Sequence, residues 1–320
     1  MNPTSAIRFD QRVAIVTGAG GGLGRGYALD LAARGAAVVV NDLGGSFDGK
    51  GSSTSMADAV VAEIKAAGGR AVASYDSVST SAGGKAIVET ALDAFGRVDV
   101  LVSNAGSLRN APIDELPDDT LDAMIDVHLK GGFNVSRPAF RQMKKQGYGR
   151  IVLASSAAGM LGNEQQAAYG AAKAGLVGLM NILSLEGAPH GIRANALLPT
   201  AMSRMAAAMD PKLMEQAGAL YAALGDKLGN SAEPGFVTPL VTFLCSEACD
   251  STHGIYSATL GRYARVFLGM GRGWVGPRSS PPGAEDIAAH WAQVCEKNDA
   301  QELGSLMDEF AVVAAQLKSA

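Results

Sequence analysis

"VAIVTGAGGGLGR", residues 13–25, decides the fold. A short β-branched run, Val13 to Thr17, breaks off into a glycine-rich turn, and a helix-like stretch then runs to about Arg34. Gly18, Gly22 and Gly24 have the spacing of a dinucleotide-binding turn. There the missing side chains let backbone approach a pyrophosphate, which rests on the unpaired N–H groups of the helix N-terminus. Such a turn is weak evidence alone and strong between a strand and a helix.

The same alternation continues outward. Apolar strand-like runs stand at 36–42, 70–75, 98–103, 150–155 and 192–198, separated by helical stretches of which 118–146 and the one ending near Ala188 are the longest. Parallel strands need crossovers of this length, and those crossovers are right-handed. Another helix near 234–246 and a strand near 254–259 complete the series. The fold class is therefore α/β: a doubly wound Rossmann fold with a seven-stranded parallel sheet flanked by helices, plus a C-terminal helical extension. The boundary is set at residue 260, with a cofactor domain over 1–260 and an extension over 261–320. That extension opens on Arg262, Arg265, Arg272 and Arg278 without an acidic residue until after the Pro/Gly stretch ending at 283. Two amphipathic helices follow, one presenting Ile287, Trp291 and Val294, the other Leu303, Leu306, Met307, Phe310 and Val313.

Composition narrows the function. The chain has 320 residues, 48% hydrophobic and 18% charged, with a net charge of −4, which gives no electrostatic case for nucleic acid or an anionic membrane. Uninterrupted apolar runs stay short of the ~20 residues that span a bilayer, and the start "MNPTSAIRFDQ" is too polar for a signal peptide. A cytoplasmic protein is expected. Cys245, Cys249 and Cys295 form no metal-type pair, and His128, His190, His253 and His290 are scattered, so no metal site is expected.

Asp42 closes the second strand 18 residues after Gly24, where a carboxylate accepts from both ribose hydroxyls of NAD and repels the 2′-phosphate of NADP. NAD is the expected cofactor. The spacing Thr17-Gly18-x-x-x-Gly22-x-Gly24 resembles that of the short-chain dehydrogenase/reductase family, and the landmarks of that family follow in order. "NAG" at 104–106 ends the fourth strand, Asp76 follows the third, Ser156 stands 13 residues before Tyr169, Lys173 completes Tyr-x-x-x-Lys, and Pro199 follows the sixth strand. The resemblance implies cofactor contacts from Gly18, Gly22, Leu23 and Gly24 in the turn, and from Asp42. It adds Asp76, Ser77 and Val78 at the adenine, Asn104, Ala105 and Gly106 beside it, and Tyr169, Lys173 and Pro199 at the nicotinamide end.

It also assigns Ser156, Tyr169 and Lys173 as catalytic. A free tyrosine titrates near pH ~10, so it is a poor base at neutral pH. A lysine ammonium one helical turn away, with the charge of oxidised nicotinamide, is expected to lower that value by ~2 to 3 units, or ~3 to 4 kcal/mol. Ser156 then positions the substrate oxygen and Lys173 holds the nicotinamide ribose. One landmark departs from the pattern. Where the family carries Asn-x-x-Gly, whose backbone carbonyl holds a proton-passing water, this chain reads "DVHLKGGF", with His128 before Gly131. His128 is expected to serve as a relay member through that carbonyl.

Within the family, "VVVNDLGG", "GGRAVASYDSV", "VHLKG", "MKKQGYGRIV" and "GRGWVG" resemble the (3R)-hydroxyacyl-CoA dehydrogenase part of type 2 peroxisomal multifunctional enzymes. The chain ends in "LKSA" rather than a peroxisomal address and resembles a stand-alone bacterial form. The resemblance implies a 3-hydroxyacyl-CoA substrate, which includes the thioester of a steroid side chain. The Met-rich stretch 202–214 would act as an apolar lid, with CoA phosphates met by Arg204, Lys212 or the Arg262 to Arg278 series. A homodimer or homotetramer through the helices near 118–146 and 165–188 is also implied. Two alternatives stay open: a dehydrogenase of a free hydroxysteroid or small alcohol, and a non-enzymic NAD(H)-sensing protein.

Overall fold

Eight strands form one sheet in the order β3-β2-β1-β4-β5-β6-β7-β8, in a computed structural model that describes residues 6–46, 48–202, 215, 218–219 and 222–319. The first strands are β1 (Val13–Thr17), β2 (Ala37–Asn41), β3 (Arg70–Ser74) and β4 (Val100–Ser103). They alternate with α1 (Gly22–Ala33), α2 (Ser55–Ala66) and α3 (Ser81–Phe95). Every residue of β1 and β2 is buried, as expected of strands covered by helices on both faces. The strand order reverses between β1 and β4, and a doubly wound sheet opens its crevice there.

The second half adds α4 (Asp118–Met124), α5 (Gly131–Gln146), β5 (Gly149–Ala154), α6 (Ala157–Leu161), α7 (Ala167–Gly187) and β6 (Ile192–Thr200). Then come α8 (Thr238–Cys245), β7 (Gly254–Thr259) and β8 (Arg262–Val266). The stretch ending near Ala188 contains α7, which by length and composition could cross a bilayer, with a mean hydropathy of 1.2 over its most apolar window. Half of that window is buried in the fold, through side chains such as Ala172, Leu176, Met180 and Leu183.

The sheet, Pro199 and the long helix over 118–146 differ from expectation. The sheet has eight strands rather than seven, because Leu260 and Gly261 both adopt positive φ (51° and 77°). A two-residue turn of that kind folds the chain straight back as an antiparallel hairpin, so β8 pairs with β7. The arginines of β8 disguised it as the start of the extension. Pro199 does not follow β6 but lies inside it, opposite Ala258 of β7. The helix over 118–146 is not uniform either: α4 passes into α5 through a π-helical segment, Ile125–Lys130, which carries His128. The Met-rich stretch beyond Met202, with Arg204 and Lys212, lies outside the described residues.

At the amino end of the sheet Asp99 has a fully buried side chain. It accepts from the Val13 N–H (2.9 Å), from Arg12 Nη1 (3.0 Å) and from Arg97 Nε and Nη2 (both 2.7 Å). Asparagine there would turn an amide N–H toward donors that the carboxylate now serves, the buried Val13 N–H among them, while Arg12 and Arg97 are partly exposed and keep water. Asp99→Asn is expected to destabilise the protein by about 2 kcal/mol, read as a lower urea midpoint.

The described chain divides into two compact units, one ending at Arg265 and one spanning Val266–Ala320. The second contains β9 (Gly269–Met270) paired antiparallel with β10 (Gln301–Glu302), and the helices α9 (Ala284–Ala289), α10 (Trp291–Val294) and α11 (Leu306–Ser319). Ile287, Trp291 and Val294 fall on α9 and α10, and Leu306, Met307, Phe310 and Val313 on α11. Leu303 precedes α11 rather than belonging to it.

Candidate active site

The glycines of the first turn each answer a steric demand. Gly18 and Gly22 hold positive φ of 64° and 51°, a region costly to residues with a Cβ. A Cβ on Gly24 would collide with the Gly18 carbonyl oxygen, so only glycine lets α1 start this close to β1. The N-cap of α1, Gly21, offers no side-chain cap, leaving the first N–H groups of the helix open to an anion. Asn104 braces the turn from the end of β4, its Nδ2 donating to the carbonyls of Thr17 (3.1 Å) and Gly18 (3.3 Å). Thr17 Oγ1 in return accepts from the N–H groups of Asn104 (2.9 Å) and Ala105 (3.0 Å).

Around this turn lies a cleft enclosing about 1040 Å³, its open mouth included. Gly18, Gly22, Leu23 and Gly24 line one side, Asp42 another, Asp76, Ser77 and Val78 a third, and Asn104, Ala105 and Gly106 the floor. These are the residues expected from the sequence, and the fold brings them together. Asn41 holds the third wall by donating to the Ser74 carbonyl (3.3 Å) and the Asp76 carbonyl (3.0 Å), while Asn134 donates to the Val78 carbonyl (2.9 Å).

Asp42 is held firmly. Its Oδ2 accepts from the Gly20 N–H and its Oδ1 from the Gly44 N–H, both at 2.7 Å. A carboxylate has about four acceptor sites, so two remain for hydroxyl donors. Sequence reasoning missed Leu43, Gly45, Ser46 and Gly49, which also line the cleft, because 43–53 read only as a loop. Its position at the carboxyl end of β2, directly after Asp42, was the available signal. That loop is tied across the crevice by Arg109, whose Nε donates to the Asp48 carbonyl (2.9 Å). A glycine cradle, an uncapped helix end and an acid beside them fit a dinucleotide.

Ser156, Tyr169, Lys173, His128 and Pro199 are not among the residues lining this cleft, although Val127, next to His128, is. Ser156 caps α6, its Oγ accepting from the Ala158 N–H (3.1 Å), and it hydrogen-bonds the Tyr169 hydroxyl. Tyr169 and Lys173 lie one turn apart on α7, and Ser155 Oγ donates to the Lys173 carbonyl (2.6 Å), tying that turn to β5. Lys173 is buried and donates from Nζ to the Ala154 carbonyl (2.6 Å). His128 is buried with its ring edge-on to that of Tyr169, centroids 5.1 Å apart.

The electrostatics differ from the sequence expectation. Burial raises the pKa of Tyr169, and the Ser156 hydrogen bond opposes that only in part. Lys173 does not lower it. Its Nζ is 5.6 Å from the phenol centroid and turned to a carbonyl, and burial pulls its own pKa down to about 7. Burial thus favours the neutral form of both groups, the phenol and the amine. Burial, followed by the charge of Lys173, also holds the His128 imidazole well below its ordinary value.

The short chain dehydrogenase family model matches residues 12–215. A short-chain type dehydrogenase/reductase of Mycobacterium tuberculosis is 47% identical over 92% of this chain and 97% of its own. The structure of full-length peroxisomal multifunctional enzyme type 2 from Drosophila melanogaster is similar with a TM-score of 0.77 and 34% identity, over 98% of this chain and 50% of that one. This chain thus spans half the length of that multifunctional enzyme. The structure of a 7α-hydroxysteroid dehydrogenase complexed with NADH and 7-oxo glycochenodeoxycholic acid matches with a TM-score of 0.70 and 26% identity, over 79% of this chain and 95% of that one.

Proposed function

The chain belongs to the short-chain dehydrogenase family, and from this we propose that it oxidises the secondary alcohol of a 3-hydroxyacyl-CoA to a ketone, with NAD as acceptor and Tyr169 as general base. Family membership makes it an oxidoreductase that uses a nicotinamide cofactor, which sets aside a purely sensing role. The observation that carries the reading is the Ser156–Tyr169 hydrogen bond with the buried Lys173 one turn further along α7, at the end of β5 beside the cofactor crevice.

NAD, once bound, supplies the hydride acceptor. The turn at Gly18 to Gly24 would hold its pyrophosphate, Asp42 its adenine-side ribose, and Lys173 its nicotinamide ribose. Tyr169 would take the hydroxyl proton, and Ser156 would fix the substrate oxygen by hydrogen bonding. Lys173 would have to leave the Ala154 carbonyl and regain its charge to make Tyr169 acidic. A cofactor's ribose hydroxyls give it new acceptors, which favours the charged form.

Preference for NAD rests on Asp42. Replacing it with alanine removes the charge that opposes a 2′-phosphate, and is expected to lower the NAD over NADP ratio of kcat/KM by about 100-fold, a few kcal/mol of like-charge repulsion. An unchanged ratio would place the discrimination elsewhere.

The 3-hydroxyacyl-CoA assignment is supported by segments such as "VVVNDLGG", "VHLKG" and "GRGWVG" and by the similarity to a peroxisomal multifunctional enzyme. It is tested by NADH production across short, long and steroidal 3-hydroxyacyl-CoAs, with free hydroxysteroids and small alcohols alongside. Turnover confined to thioesters supports it; equal or better turnover of free alcohols overturns it. The second reading, a free hydroxysteroid, is favoured by the similarity to a 7α-hydroxysteroid dehydrogenase. A cytoplasmic location and a homodimer or homotetramer belong to the same proposal.

A further inference from the structure

His128 has a polar atom that the fold leaves without a partner. Its Nε2 lies 2.8 Å from the Ser107 carbonyl oxygen. A carbonyl only accepts, so Nε2 carries the proton and Nδ1 presents a lone pair. That Nδ1 is buried and unpartnered. An orphaned buried acceptor costs about 1–3 kcal/mol, so a native site that retains one calls for a reason.

The surroundings restrict which donor could satisfy it. Gly106 packs so close to the imidazole that no side chain could stand at that position. The Tyr169 hydroxyl is engaged with Ser156. Asp126 and Lys130, on the same π-helical segment, pair with each other at 2.6 Å on the outside. The His128 carbonyl accepts from the Gly131 N–H and keeps a second lone pair, but as an acceptor it supplies no donor to Nδ1. Lys173 remains: its ammonium has three donors, one of them on the Ala154 carbonyl, and its Nζ stands 5.6 Å from the centroid of the Tyr169 ring against which the imidazole packs edge-on at 5.1 Å.

We propose that His128 is a positioning residue whose Nδ1 accepts an N–H of Lys173, directly or through one buried water, when that amine turns from Ala154 toward the phenol. A buried ammonium with one carbonyl partner is poorly supported. A second acceptor that burial keeps neutral raises the proton affinity of Lys173 and holds it beside Tyr169. π-Helical insertions concentrate at functional sites, and here one places the ring. The part of His128 in turnover rests on the dehydrogenase reading above, but the hydrogen bond itself does not.

The test is 15N NMR of the full chain carrying labelled histidine, with and without NAD, from pH 5.5 to 9. His128 should keep its Nε2–H tautomer throughout. Its Nδ1 resonance should move with the same midpoint as Lys173, followed separately through its own side-chain signal, and Lys173→Met should abolish the movement. A flat Nδ1 signal, or a His128 that titrates on its own, would overturn the proposal. In kinetics His128→Phe keeps the ring edge against Tyr169 but has no acceptor. It should lower kcat about 10- to 100-fold, the range of a misplaced catalytic group, and shift the pH profile upward, with His128→Asn recovering most of the loss. A Phe variant with unaltered kcat and pH profile would reduce His128 to packing. Coupled NMR titrations in a protein that oxidises no alcohol would sink the dehydrogenase reading and leave the His128–Lys173 contact standing.

Discussion

Tyr169→Phe lowers kcat at least ~10²-fold while NAD affinity stays within a few-fold, the signature of a lost proton acceptor rather than a lost binding contact. The ring fills the same space, so its edge-on contact with His128 survives. Only the hydroxyl and its bond to Ser156 disappear. Because burial raises the pKa of this phenol in the unliganded protein, it is protonated at neutral pH. A base must be deprotonated to act, so oxidation by the intact enzyme should accelerate as pH rises, and the residual rate of the variant should lose that dependence. Stopped-flow NADH absorbance across pH measures both. Wild-type turnover in the variant would remove Tyr169 from the chemistry.

Lys173→Met is expected to make the protein more stable and nearly inactive. The pKa of Lys173 falls from an ordinary 10.5 to about 7 on burial, which corresponds to about 5 kcal/mol of differential cost. Below pH 7 both native and unfolded chains hold the proton, and the native state bears that cost in full. Between pH 7 and 10.5 the unfolded chain holds more protons, so stability rises with pH through this window. Above it both forms are neutral and the cost is gone. Methionine, similar in length and uncharged, should therefore gain about 3 kcal/mol at pH 6 after the lost hydrogen bond to Ala154 is discounted. That gain should vanish by about pH 10.5, and urea midpoints at the two pH values measure it. Turnover should drop at least ~100-fold, because the amine that, on the proposed mechanism, regains its charge beside bound NAD and makes Tyr169 acidic is gone. A variant less stable than wild type at pH 6 would mean that Lys173 is better solvated than its burial implies.

These two residues show how far the sequence could be read. Tyr169 and Lys173 were placed on one helical face by their spacing alone, and α7 bears that out. The state of charge was not legible. Spacing suggested an ammonium acting on a phenol, whereas the folded chain turns the amine to the Ala154 carbonyl and strips much of its charge. Desolvation is summed over every atom that excludes water from the site, and those atoms come from β5, α6 and the π-helical segment, distant in sequence. His128 shows the same divide. Its place before Gly131 was visible, but the π-helical segment that turns its ring under Tyr169, and the lone pair left without a donor, were not.

The glycine turn, Asp42, the alternation of strands and helices, and the Ser156–Tyr169–Lys173 spacing were determined by sequence alone, because each obeys a local steric or periodic rule that a few neighbouring residues satisfy. Tertiary structure alone decided the eighth strand, the enclosure of Pro199 within β6, the loop residues drawn over the cleft, and the protonation of the buried amine and imidazole. Those depend on which distant surfaces meet and how completely they exclude water, and no short stretch of the chain carries that information.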